Sequence, residues 1–109
     1  MKIEKEKLKS SCYRFSVKKG EQEVGRVYVY LIRNDIHKRP YAFIEDVHIA
    51  EGHRGQGVGK ELMKLVQEEV KEMNCYKIVL CCKHENSKAY KFYEGLSYKD
   101  MGTKFRVDL

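Results

Sequence analysis

The residues with most chemical meaning lie between a strand-like stretch and a helix-like one. Ile44-Glu45-Asp46-Val47-His48-Ile49 reads as a strand, Ala50 to Arg54 as a short connection, and Gly55-Gln56-Gly57-Val58-Gly59-Lys60 as a glycine-rich turn that opens a helix. Such a turn presents several main-chain N–H groups. The first turn of a helix adds donors with no intrahelical partner and the positive end of the helix dipole. Together they suit a diphosphate, and glycine lets the backbone approach it without a Cβ in the way. Two familiar phosphate loops do not match. The dinucleotide fingerprint requires a third glycine where Lys60 stands, and the P-loop requires Lys and Ser/Thr where Val58 and Gly59 stand. A plain strand-to-helix turn needs one glycine rather than three alternating ones, each of which costs backbone entropy on folding.

Other chemistry-bearing residues are less organised. Of the four cysteines, Cys12, Cys75, Cys81 and Cys82, no two form a Cys-x-x-Cys pair, and no histidine cluster completes a zinc spacing, so no metal is expected. Cys81 and Cys82 sit in an apolar run and should point to opposite faces of a strand. Buried, reduced thiols behaving as small hydrophobes are the expectation. A nucleophilic cysteine lacks an obvious supporting histidine in the sequence.

The elements that must position the loop follow from periodicity. Tyr13 to Val17 alternates, Lys19-Gly20-Glu21 marks a turn, Val24 to Ile32 is a second strand, and Tyr41 to Ile49 is a third after a polar connection from Asn34 to Pro40. These three predict an antiparallel meander. After Gly59 the period becomes helical, with Leu62, Met63, Leu65, Val66, Val70 and Met73 on the apolar side and Asn74 as a stop. Tyr76 to Cys82 predicts a buried central strand. A short helix follows, capped by Asn86 or Ser87, and a final strand is expected around Phe105-Arg106-Val107. The order β-β-β-α-β-α-β places one right-handed crossover, and hence one parallel pair, in a mostly antiparallel sheet with flanking helices.

At 109 residues, 42% hydrophobic and 35% charged, a single domain, 1–109, is expected, with enough apolar material for a core. The first residues alternate charge and form no leader, and no stretch is apolar enough to span a bilayer; a cytoplasmic protein with no membrane partner is expected. The net charge of +6 falls in the first 40 residues, whereas residues 41–109 balance. That field favours an acidic partner or is a solvated Lys-rich surface.

These residues resemble the GNAT superfamily of N-acetyltransferases. Its signature [Gln/Arg]-x-x-Gly-x-[Gly/Ala] is matched by Arg54, Gly57 and Gly59, and its Asn-x-x-Ala-x-x-[Phe/Leu]-Tyr segment by Asn86, Ala89, Phe92 and Tyr93. The two motifs occur in order, with a strand between them, and the resemblance covers about residues 11–109. It implies a GNAT-like acyl-CoA N-acyltransferase fold, an α/β (α+β) architecture, and acetyl-CoA as cofactor. It further implies that main-chain groups of Val47, His48 and Ile49 pair with the pantetheine arm. Arg54 and the amides of Gly55, Gln56, Gly57, Val58, Gly59 and Lys60 would hold the diphosphate. Asn86 would bond the pantetheine or cap its helix, and Tyr93 would protonate the departing thiolate. A phenol with pKa about 10 is protonated at neutral pH and suits that task.

Three departures stand out. Ser97 rather than glycine precedes Tyr98, with the glycine displaced to Gly95; Cys81 stands where relatives often carry a carboxylate; and the front of the chain is too short for the two helices usual there. The acceptor pocket is therefore expected to be open or completed by a second subunit in a homodimer.

Direct transfer needs a base for the amine and an acid for the thiolate, without a covalent enzyme intermediate if both substrates are held together. Glu45 is the first candidate base and His48 the second; period two points Glu45 away from Asp46 and His48 unless a bulge resets the register. Ile44 to Val47 and Cys75 to Ile78 look like segments of glucosamine-phosphate N-acetyltransferases, so an amino-sugar phosphate is one expected acceptor; an open site suits another small amine or a protein amine instead. The second class of reading is a non-catalytic coenzyme A-binding or nucleic-acid-binding module, with Tyr13, Tyr28, Tyr30 and Tyr41 as a stacking surface. No nucleic-acid motif is present, and cross-strand pairing also accounts for those rings.

Overall fold

Alternating β-branched and aromatic residues build a hairpin of Ser11–Lys19 (β1) and Gln22–Ile32 (β2), closed at Gly20. The computed structural model describes all 109 residues. β1 and β2 pair antiparallel from Ser11↔Leu31 to Lys19↔Gln22. β3, Tyr41–Ile49, pairs antiparallel with β2 from Ile32↔Tyr41 to Gly25↔Ile49. A single 3-10 turn, Glu51–His53, leads to α1, Val58–Glu72, and then to β4, Ile78–Leu80. The sheet order is β1-β2-β3-β4. The Tyr76 amide donates to the Pro40 carbonyl (3.1 Å) and the Ala42 amide to the Lys77 carbonyl (3.0 Å). Both chains advance in the same direction, so β4 joins parallel and the sheet is mixed, as the helical crossover requires.

Two compact units result, Met1–Val79 and Leu80–Leu109. In the first, period two sends Val27, Val29 and Leu31 of β2 and Ala42 and Ile44 of β3 to one face, where they are buried with Leu62, Met63, Val66 and Val70 of α1. Leu65, expected on that stripe, is 49% exposed, because at 3.6 residues per turn it falls beside the stripe rather than on it. The opposite face of the sheet carries Arg14, Arg26, Tyr28, Tyr30, Phe43 and Glu45, and no helix of this unit covers it. α1 ends at Asn74, which takes φ 65°. Its amide donates to Lys71 and that of Cys75 to Val70, the paired bonds of a Schellman motif.

The second unit holds α2, Ser87–Gly95, which starts where the Asn86 side chain accepts from the Ala89 amide (3.3 Å). It ends in another Schellman motif. The Ser97 amide donates to Glu94 and the Tyr98 amide to Tyr93, with Ser97 at φ 73° in the place glycine usually takes.

Three expectations need correction. Residues 104–109 form no strand: Phe105 is 92% and Val107 80% exposed, and alternation without a neighbouring strand to pair with does not make one. The stretch from Tyr76 to Cys82 is not a buried central strand, since only Ile78–Leu80 is extended, at the end of the strand order and half-exposed. Nor are the thiols buried. Cys12 and Cys81 are exposed, Cys75 and Cys82 half-exposed, and all four are free. Cys81 and Cys82 lie beyond the end of β4, so alternation across a strand does not apply to them.

Gly25 sits where its neighbours leave little room for a side chain. A Cβ there would meet Ile49 Cδ1 at 2.9 Å, the His48 carbonyl oxygen at 3.5 Å and Val17 Cβ at 3.6 Å. Gly25→Val should destabilise the fold by about 1–3 kcal/mol, read as a lower urea midpoint. Gly25→Ala should lose less, because the end of the Ile49 side chain can move aside.

Candidate functional site

The site begins with one extra residue in β3. Arg26 pairs with His48, but Tyr28 pairs with Glu45, so two residues of β2 span three of β3. The surplus is a bulge at Asp46, which adopts φ 58°. The Arg26 guanidinium holds the Asp46 carboxylate through Nε (3.1 Å) and a terminal nitrogen (2.9 Å). The bulge resets the alternation. Glu45, opposite Tyr28, and His48, opposite Arg26, now share the face that α1 leaves uncovered. The Tyr30 hydroxyl donates to Glu45 (3.3 Å), and burial, followed by the charge of Glu45, pushes the Tyr30 phenol above its usual range. The clamp was not anticipated from the sequence, where Tyr30 reads as one of a set of stacking or cross-strand rings rather than as a partner of Glu45. An Asp in a strand was the only available signal, since Asp tolerates the left-handed region better than most residues.

Past the bulge, the outer edge of Val47 to Ile49 has no strand beside it, because β4 joins near Pro40 and Ala42 and ends at Leu80. The Arg54 Nε donates to the Ile49 carbonyl (2.8 Å), which leaves its terminal nitrogens available to an anion. Gln56 Nε2 reaches the Gly52 carbonyl (3.4 Å). Gly55 and Gly57 take φ of 75° and 82°. Gly57 is the N-cap of α1 and supplies no side-chain cap. The first main-chain bond of the helix runs from the Glu61 amide to the Gly57 carbonyl (3.0 Å), and no carbonyl accepts from the amides of Gly55, Gln56, Gly57, Val58, Gly59 or Lys60.

This end differs from the other helix ends of the chain. α1 closes with its Schellman motif, α2 opens on Asn86 and closes on Ser97, yet α1 opens with its donors bare. Free amides, the dipole end and a guanidinium converge there, and a Cβ built on Gly55 or Gly57 meets nothing within 4 Å, so the approach is open. The donor set fits a diphosphate.

In the second unit, Asn86 spends its Oδ1 on the helix cap and keeps its side-chain amide as a donor. Tyr93 is half-buried, its ring edge-on to Tyr98 at 5.9 Å and to Phe92 at 5.3 Å. Burial pushes the Tyr93 hydroxyl above its usual range, and Cys82 and Tyr98 push it further. It therefore stays protonated through neutral pH. The Tyr93 carbonyl accepts from the amides of both Leu96 and Tyr98, so the turn that ends α2 also fixes its backbone. The same unit holds a cluster not anticipated from spacing. His84 Nε2 and the Tyr90 hydroxyl meet Asp100 Oδ2 at 2.8 and 3.0 Å, and the Gly102 amide meets Oδ1 at 3.3 Å. His84 first, then Tyr90 and Gly102, hold Asp100 below the usual carboxylate range.

The chain is similar to known proteins. The sequence profile of the Acetyltransferase (GNAT) family matches residues 2–98. Glucosamine 6-phosphate N-acetyltransferase of Candida albicans is 36% identical over 61 residues, 56% of this chain and 39% of that protein. Thialysine N-epsilon-acetyltransferase of Bos taurus is 29% identical over 59 residues, 54% of this chain and 35% of that protein. The chain thus spans less than half the length of these relatives. A solved acetyltransferase of Trypanosoma brucei superposes with a TM-score of 0.78 and 27% identity, over 92% of this chain and 69% of that one.

The loop's glycines yield a stability test. Gly57→Ala forces a Cβ into the left-handed region and should cost about 1–2 kcal/mol. Gly52→Ala, at a position with neither a positive φ nor a neighbour within 4 Å, should stay within about 0.5 kcal/mol of the parent. Chemical denaturation of both variants checks the contrast.

Proposed function

The chain belongs to the GNAT family of acetyltransferases, and on that premise we propose that it moves an acetyl group from acetyl-CoA to a primary amine, with both reactants held at once. The observation that carries the reading is the set of bare amides from Gly55 to Lys60 at the start of α1. Acetyl-CoA, when bound, supplies the acetyl thioester and a diphosphate of the charge those amides favour.

The amides of Gly55, Gln56, Gly57, Val58, Gly59 and Lys60 bind the diphosphate, and Arg54 adds positive charge through its terminal nitrogens. The free main-chain edge of Val47, His48 and Ile49 pairs with the pantetheine amides as an adjoining strand would. The side-chain amide of Asn86 donates to the same arm. Glu45 accepts the proton that the attacking amine sheds, and His48, on the same face, is the alternate acceptor. Tyr93 donates its phenolic proton to the departing thiolate; its raised pKa keeps that proton in place at neutral pH. Holding the amine beside the thioester replaces a bimolecular encounter and removes the need for a covalent intermediate on the chain. The relatives are named for glucosamine 6-phosphate and thialysine, both of which carry a primary amine.

Tyr93→Phe keeps the ring and removes only the proton. Turnover should fall by about 10²-fold or more, the usual contribution of a general acid, while coenzyme A affinity measured by calorimetry stays near the parent value. Unchanged turnover would remove Tyr93 from the chemistry. Failure of the parent chain to bind coenzyme A would remove the whole reading.

A further inference from the structure

The face of the sheet that α1 leaves uncovered is polar, and its charges are unevenly satisfied. Arg14 places both terminal nitrogens on Glu23, at 2.6 and 2.7 Å, and its Nε on the Tyr28 hydroxyl at 3.3 Å. Its guanidinium also lies over the Tyr28 ring, 5.7 Å from the centroid. The side-chain bond to Arg14 holds the Glu23 carboxyl below its usual range, so this pair is ionic and locally neutral. Arg26 is likewise joined to Asp46. Glu45 alone on this face has no cationic partner, since its one contact is the Tyr30 hydroxyl. Around it, register places Tyr28 directly opposite, with Tyr30 opposite Phe43 two residues along the same face. Two further cations are engaged elsewhere. Lys18 acts on Glu23 beyond Arg14. Lys77 sits over the rings of Tyr41 and Tyr76, at 4.8 and 5.3 Å, and Tyr41 is four residues from Glu45 along β3, about 13 Å in extended chain.

A phosphate arriving here meets an unpaired carboxylate and two arginines already neutralised by their own carboxylates. An alkylammonium meets the unpaired carboxylate and the faces of aromatic rings, both of which attract a cation. We infer that the acceptor is a cationic alkyl amine without a phosphate, received on the uncovered sheet face by Glu45 among Tyr28, Tyr30 and Phe43. This rests on the acetyl-transfer reading and narrows it. In the transfer, the bound ammonium first gives one proton to Glu45, which passes it to water. The neutral amine then forms the new N–C bond as the C–S bond of acetyl-CoA breaks; the sulfur keeps the electron pair and takes the Tyr93 proton, and the second proton leaving the nitrogen passes to Glu45.

Two measurements separate this inference from the reading beneath it. Calorimetry with 1,4-diaminobutane and with glucosamine 6-phosphate reads recognition without turnover. The diamine should bind about tenfold or more tightly than the amino-sugar phosphate, the scale of one charge-assisted hydrogen bond, and Glu45→Gln should abolish the preference. Thiol release from acetyl-CoA then reads KM for both acceptors in Glu23→Gln, which frees Arg14. KM should rise for the diamine and fall for glucosamine 6-phosphate, opposite movements that a merely structural role for Glu23 would not produce. Tighter binding of glucosamine 6-phosphate, or KM values that move together, would overturn the inference and leave acetyl transfer standing. Diamine binding without any thiol release would overturn acetyl transfer and leave the recognition of the cation standing.

Discussion

One surplus residue in β3 governs the chemistry of the first unit. Without the bulge at Asp46, strict alternation would turn His48 toward the α1 side and away from Glu45. With it, the two candidate proton acceptors share a face, and β3 goes on pairing with β2 through His48 and Ile49. A non-glycine residue at φ 58° is unfavourable by itself, so something must hold it. The grip of Arg26 on the Asp46 carboxylate is that support. The pair is partly exposed, with little to offer global stability, and its effect is on local geometry.

The second constraint is an asymmetry between helix ends. Main-chain donors and acceptors that lose water must find partners, and this chain closes the end of α1 and both ends of α2 with its own atoms. The start of α1 is left open, with Gly57 standing where Ser, Thr, Asp or Asn usually closes a helix. Gly57 instead bends the chain through the left-handed region and contributes no acceptor. A structural helix gains nothing from that choice, whereas a helix that receives an anion does.

Much of this was legible in the sequence, because the signals are local. The glycine spacing, the stop at Asn74 and the cap at Asn86 depend on a few neighbouring residues, and each occurs where expected. The boundaries of β3 follow from alternation between Pro40 and the loop. What escaped depends on partners distant in sequence. The alternation of Phe105 and Val107 looks like a strand, but a strand exists only beside another. Cys81 and Cys82 continue an apolar run, yet extended pairing stops at Leu80 and the thiols are not buried. The bulge could be anticipated as a possibility near a site but not placed, since its position is set by register against β2. The ion pairs that neutralise Arg14 and Arg26 changed the meaning of the basic N-terminal half, and no count of charges shows which are already matched.

Ser97 touches no candidate reactant, yet the turn it forms delivers the Tyr98 amide to the carbonyl of Tyr93 and sets the Tyr98 ring against that of Tyr93. A mutational survey scored by activity would flag position 97 as intolerant of β-branched side chains, which the left-handed region excludes. It would look like a hot spot of recognition. Its true office is orthopaedic: it splints Tyr93, the proposed proton donor.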